Sequence, residues 1–130
     1  MKNSILLESS WFQFADMDLE VALHLNEKMY PKPMEIICYH CEQAVEKYLK
    51  GFLLFKEVPV TKTHNVSFLL EEIEKVIETE IENKYFEMCD MLIPFGVAVR
   101  YPNEVKVDDM IVKEAIESVR EIRKFILEIL

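Results

Sequence analysis

Residues 33–59 read PMEIICYHCEQAVEKYLKGFLLFKEVP. Within them Ile37, Cys41, Ala44, Tyr48, Gly51 and Phe55 recur at alternating steps of four and three, the spacing that returns to one face of an α-helix, and Cys38, Val45, Leu49 and Phe52 widen that stripe. So broad an apolar face predicts a helix set in a core. Pro33 suits a first helical turn, and the Val58-Pro59 step ends the run. Beside the core stripe, His40, Gln43, Lys47, Lys50 and Leu54 align at steps of three and four. That second, mostly polar stripe either lines a ligand cleft or lies in solvent or at a dimer rim, with Glu46 and Lys50 paired at i, i+4.

Working outward, the chain supplies the helices such a surface needs. Upstream, Ser10 and Gln13 have capping-box spacing, and Phe12, Ala15, Leu19, Ala22 and Asn26 then recur at threes and fours, so a first helix is predicted from about Ser10 to Met29. Tyr30-Pro31-Lys32-Pro33 stops it, because the residue before a proline is pushed out of helical geometry. Downstream, Asn65 is placed to cap a third helix carrying Val66, Leu69, Leu70, Ile73 and Val76. Thr79 and Glu82 repeat the capping-box spacing and mark a break. A fourth helix follows through Tyr85, Met88, Leu92, Phe95 and Val99, with a kink at Pro94, which offers no donor to the Asp90 carbonyl. It ends at Arg100-Tyr101-Pro102. Asp108 then caps a fifth helix bearing Val112, Ala115, Val119, Ile122, Ile126 and Ile129. Five amphipathic helices with short links make an all-α, antiparallel up-and-down bundle.

Composition agrees with that architecture. At 130 residues, 51% hydrophobic and 30% charged, the chain fits a single domain spanning 1–130 with a dense interior. It has two glycines, Gly51 and Gly96, too few for the positive-φ turns of an all-β domain. The net charge is -9; residues 1–65 hold seven basic and nine acidic side chains and residues 66–130 hold eight and fifteen. Such a surface repels phosphate backbones at long range, so nucleic acid would be held only where basic groups are gathered locally. No apolar run reaches the roughly 20 residues of a membrane span, and MKNSILLESSW is too briefly apolar for a signal peptide, which predicts a cytoplasmic protein with no membrane association. Cys38, Cys41 and Cys89 are an odd number and are read as reduced, buried thiols.

Few side chains stand out chemically. Arg100-Tyr101-Pro102-Asn103-Glu104 combines a guanidinium able to grip phosphate in bidentate fashion with a ring able to stack on a base, although the same residues also suit a plain helix C-terminus. His64 precedes the Asn65 cap and either reaches the Arg100 region or bonds backbone in the connection. Cys38-Tyr39-His40-Cys41 lacks the four ligands of a structural zinc site, so it reads as core packing. Glu71, Glu72, Glu74, Glu78, Glu80 and Glu82 follow solvent positions without converging, and no metal or other cofactor is expected. Trp11, Phe12, Phe52, Phe55 and Phe95 read as core or dimer contacts.

Four segments, taken in order, resemble successive signatures of HEPN domains: Ala15-x-x-Asp18-Leu19-x-x-Ala22, Glu42-Gln43-Ala44-Val45-Glu46-Lys47-Tyr48-Leu49-Lys50, Thr63-His64-Asn65-Val66-x-x-Leu69-Leu70, and Arg100-Tyr101-Pro102. Together they cover nearly the whole chain. The resemblance implies a helical bundle of the nucleotidyltransferase substrate-binding-subunit type, frequent homodimerisation, and roles in RNA cleavage or nucleotide binding, often beside a minimal nucleotidyltransferase in a toxin–antitoxin pair. The family's ribonucleases carry an arginine followed, after four to six residues, by a histidine. Arg100 matches the arginine, but Val105, Lys106 and Val107 occupy the histidine positions. Valine cannot accept and return a proton, so the ribonuclease motif is incomplete.

The expectation is therefore a homodimeric HEPN protein that binds RNA or a nucleotide, or partners a nucleotidyltransferase, without standard ribonuclease activity. The ligand-binding residues are Arg100, Tyr101, Asn103, Glu104, Gln43 and Lys47. Two alternatives stand beside it. One is an active metal-independent ribonuclease in which Arg100 works with a displaced histidine, His64 or His40. The other is a non-catalytic module that docks a partner protein.

Overall fold

A short helix not foreseen from the sequence opens the chain: α1 (Lys2–Glu8), which seats a fully buried Leu6. The computed structural model describes the backbone of residues 2–59, 61–96 and 106–130. Next comes α2 (Ser10–Lys28), capped by Ser9 rather than Ser10, because the Ser9 hydroxyl accepts from the Phe12 backbone N–H at 3.3 Å while Ser9 itself stays extended. Its inner face buries Phe12, Ala15 and Ala22 completely, with Asp18 among them. Phe14, Met17 and Val21 form an exposed apolar stripe on its outer side.

The quoted segment forms α3 (Met34–Phe55), with Pro33 at its N-cap position. It stops before Val58-Pro59, because Glu57 adopts left-handed geometry with φ 63°. The Val58 N–H then reaches the Leu53 carbonyl at 2.9 Å and the Glu57 N–H reaches that of Leu54 at 2.9 Å, the paired bonds of a Schellman ending. As expected, Asn65 caps α4 (Val66–Ile77), accepting the Phe68 N–H at 3.0 Å. The break beyond α4 lies where predicted but by another device: Glu78 is left-handed with φ 54°, and the Thr79 hydroxyl donates to the Ile77 carbonyl instead of capping a helix. The next helix is α5 (Asn83–Leu92).

Around Pro94 the α-helix gives way to tighter winding. After Leu92 the chain tightens into a 3-10 turn, Ile93–Gly96. The predicted continuation through Val99 and the stop at Arg100-Tyr101-Pro102 lie outside the described residues. Asp108 then caps α6 (Asp109–Glu128) by accepting the Ile111 N–H at 2.9 Å. No strand occurs among the described residues, and no helix there is long and apolar enough to cross a membrane.

α3 packs against each of the other helices and against the 3-10 turn, which makes it the axis of the bundle. Ile37, Cys41, Ala44, Tyr48 and Phe52 on its apolar face are fully buried. One polar tie crosses this core. The Tyr48 hydroxyl donates to Asp16, and Arg123 holds the same carboxylate through Nε at 2.9 Å and Nη2 at 3.3 Å, joining α2, α3 and α6. Gly51 is glycine because a Cβ there would stand 3.0 Å from the Cβ of Trp11.

Candidate functional site

At about 100° per residue, His40, Gln43, Lys47, Lys50, Glu46 and Glu42 spread over about 160° of the α3 circumference opposite its apolar face. A helix at the centre of a bundle has both faces covered, so this half is polar and yet largely enclosed. Glu42 is 0% exposed, Glu46 5% and Lys50 6%, and Asp18, reaching in from α2, is 9% exposed. Of the stripe marked from the sequence, only Lys50 is buried; His40, Gln43 and Lys47 are half-buried and Leu54 is exposed, and the expected Glu46–Lys50 pair at i, i+4 forms. Taking a charge out of water costs several kcal/mol unless partners replace the hydration, so such groups persist only in pairs.

The pairing follows one pattern twice. In the first set the Asp18 carboxylate accepts from Lys47 Nζ on one oxygen and bonds His40 Nδ1 at 2.9 Å on the other. In the second the Glu46 carboxylate accepts from Lys50 Nζ at 3.2 Å and bonds His64 Nδ1 at 3.0 Å. Each is a lysine–carboxylate–histidine triad that neutralises itself and fixes an imidazole through one ring nitrogen, leaving Nε2 free of that contact. The His64 side chain is 73% exposed and that of His40 26%. Lys50 also lies 6.0 Å from the centre of the Trp11 ring.

Gln43 lies between the two triads and donates from Nε2 to Glu42 Oε1 at 2.9 Å. The other Glu42 oxygen has no hydrogen-bond partner among the described residues. Burial, and then the charge of Glu46 one helical turn away, pushes the Glu42 carboxyl up to about 8. Over it sits Gly96, where a Cβ would stand 3.1 Å from the carboxyl carbon and from both oxygens. The 3-10 turn therefore packs flat on the polar face of α3, at a spacing that a Cβ would crowd.

The predicted site residues divide accordingly. Gln43 and Lys47 are on the polar face, each engaged with a carboxyl group. His64 turns to Glu46 of α3 rather than to backbone in its own connection. Arg100, Tyr101, Asn103 and Glu104 lie outside the described residues. Asp18, Glu42 and Glu46 were missed as site residues, although Asp18 carried a signal: it falls in step with Phe12, Ala15 and Ala22, a carboxylate inside an apolar stripe. Cys38, Cys41 and Cys89 are buried, and burial raises all three thiols, Cys38 and Cys89 to about 12. Such thiols are inert. Among the described residues no cluster of three or more His, Cys, Asp or Glu forms that could hold a metal ion. A cleft of about 460 Å³ between α2 and α6, edged by Asn26, Lys32 and Arg120, shares no residue with the polar face.

Residues 9–130 match the HEPN domain family. The chain belongs to that family. Two solved structures share the HEPN-domain fold seen here. The crystal structure of TT1696 from Thermus thermophilus is 22% identical with a TM-score of 0.77, covering 92% of this chain and 95% of that one. ST0689, an archaeal HEPN homologue, is 23% identical with a TM-score of 0.68, covering 89% of this chain and 91% of its own. No curated protein matches the chain. In this HEPN domain the quoted Glu42–Lys50 segment supplies both the central axis of the bundle and most of its enclosed charge.

Proposed function

We propose that this HEPN-domain protein binds RNA or a nucleotide on the polar face of α3, with Arg100 gripping phosphate and Tyr101, Asn103 and Glu104 beside it. The observation that carries the reading is the enclosure of Asp18, Glu42, Glu46 and Lys50 on one face. Buried ion pairs are poor stabilisers compared with apolar packing, so the enclosed groups around α3 are better understood as fixing the half-buried His40, Gln43 and Lys47 and the exposed His64 for recognition than as a stabilising device. Arg100 follows Gly96, which packs on that face, by four residues in the chain. Because the triads balance their own charge, the phosphate-binding charge falls to Arg100. The protein acts in the cytoplasm as a homodimer and as the partner of a minimal nucleotidyltransferase, without a cofactor.

Binding of a labelled single-stranded RNA and of ATP, followed by fluorescence anisotropy and calorimetry, tests the reading. Arg100→Ala should weaken binding by about 1–3 kcal/mol, the scale of a charge-assisted hydrogen bond, with an unchanged melting temperature. Arg100→Lys should restore part of the loss, since it keeps the charge without the planar fork. A variant that loses stability but binds as well as the wild type would assign Arg100 to helix capping.

The His64–Glu46 bond favours a second reading, metal-independent cleavage with His64 as the displaced base, because it fixes the ring and leaves Nε2 exposed. With Val105 and Val107 at the usual histidine positions, the first reading expects no cleavage in chelator. Cleavage lost in both Arg100→Ala and His64→Ala would establish the second.

A further inference from the structure

Two ion pairs staple α6 to the opening of the chain, and between them the helices part. Arg123 is bridged to Asp16 of α2 at 2.9 Å, and Asp109 to Lys32, just beyond α2, at 2.9 Å. From Asp109 to Arg123 the α6 axis rises about 21 Å. A groove runs along that length: the cleft of about 460 Å³ between α2 and α6 meets a second of about 380 Å³ at Leu23 and Arg120. Its floor is apolar, made by the half-buried Leu19 and Leu23 of α2 and the buried Val112 and Ile116 of α6. Its walls differ in sign. Glu20 and Glu27 stand on one line of α2, while Lys113, Arg120 and Lys124 stand on one line of α6, with Glu117 among them. All six are exposed, and among the described residues none forms an ion pair.

We propose that this groove seats an amphipathic helix of a partner protein, its apolar stripe on the floor, its basic flank along Glu20 and Glu27 and its acidic flank along Lys113, Arg120 and Lys124. The groove shares no residue with the polar face of α3, so it stands whether or not that face binds RNA or a nucleotide. Backbone chemistry selects a helix over an extended peptide. The N–H and C=O groups along α2 and α6 are spent within those helices, so an extended chain finds no backbone partners there, whereas a helix satisfies its own. Charge selects the kind of partner. The glutamate wall repels nucleic-acid phosphates and anionic membrane surfaces alike, while a helix with one basic and one acidic flank matches both walls at once. The unlike walls also set its direction, since turning it end for end brings each flank against like charge.

The test uses a labelled helical peptide with leucines at i, i+4 and i+7, lysines along one flank and glutamates along the other, followed by fluorescence anisotropy. Two companions carry the same leucines with both flanks lysine or both flanks glutamate. Wild type should prefer the mixed peptide about 3–10-fold over either companion, the scale of a few exposed ion pairs. Glu20→Lys combined with Glu27→Lys, both at exposed positions, should keep the melting temperature and turn the preference to the all-glutamate peptide. No binding of the mixed peptide up to about 1 mM, equal binding of all three, or a preference unchanged in the double variant overturns the proposal. So does binding that survives the double variant but is lost in Met17→Glu, which would seat the peptide on the outer stripe of α2. A fall in the mass of the protein by light scattering as the mixed peptide is added would mean that a second copy of this chain fills the groove, and would overturn the assignment to another protein.

Discussion

Glu42 is a carboxyl group that the fold keeps away from water at a cost that changes with pH. It is enclosed beneath Gly96, and burial together with Glu46 lifts it from an ordinary 4.5 to about 8. A folded-state value above the unfolded one means that the folded protein retains a proton the unfolded chain releases. The stability contributed by the neutral carboxyl is therefore complete below pH 4.5 and is lost as pH rises through about 8. Glu42→Gln keeps the shape and stays neutral. Its melting temperature should match that of the wild type near about pH 4 and exceed it near about pH 9, by roughly a few kcal/mol of unfolding free energy. Parallel decline of the two proteins over that range would mean that Glu42 already ionises freely. The two glycines illustrate the same local logic: Gly51 and Gly96 serve close approaches to Trp11 and Glu42, while the left-handed helix endings fall to Glu57 and Glu78. Each glutamate bears a conformational cost of about 1 kcal/mol that a glycine would not.

The elements themselves were largely written in periodicity. The stripe through Ile37, Cys41, Ala44, Tyr48 and Phe52 is the buried face of α3, so Ala44→Glu should unfold the protein: a buried, unpaired carboxylate costs several kcal/mol at a position with no free volume. Glu71→Ala, at an exposed position of α4, should leave the thermal transition where it is. Equal melting temperatures for the two variants would put the core face elsewhere. Asn65 and Asp108 were legible as caps because a short polar side chain before an apolar run has one efficient use there. The helix endings were less so. Glycine is the usual sign of a left-handed residue, and nothing in the residue type of Glu57 or Glu78 announces one; at Pro94, whether a helix kinks or stops depends on what packs against it. Of the candidate polar face, Gln43 and Lys47 were marked by polar spacing and His64 by its place before the Asn65 cap and by the resemblance. The triads were not, because Asp18 meets His40 and Lys47 across two helices, a pairing that no single periodicity contains.

At the level of the molecule, the charge of -9 and the neutral triads leave little general attraction for phosphate, so binding should depend on the local site rather than on the surface field. For the proposed homodimer, the exposed apolar stripe of Phe14, Met17 and Val21 on α2 is the face to test. Light scattering should give twice 15.4 kDa for the wild type, and Met17→Glu should give the monomer mass without loss of helicity. A wild type at 15.4 kDa across micromolar concentrations would sink the dimer. The tie between Asp16 and Arg123 joins residues 107 apart in sequence, with α6 closing over an axis whose other partners precede it. On the ribosome, then, α2 to α5 emerge with nothing to cover the side of α3 that α6 will seal. A chain cut short before α6 would leave Asp16 without its guanidinium and a strip of core open to water, so nascent and truncated forms should be the species that chaperones hold and proteases clear.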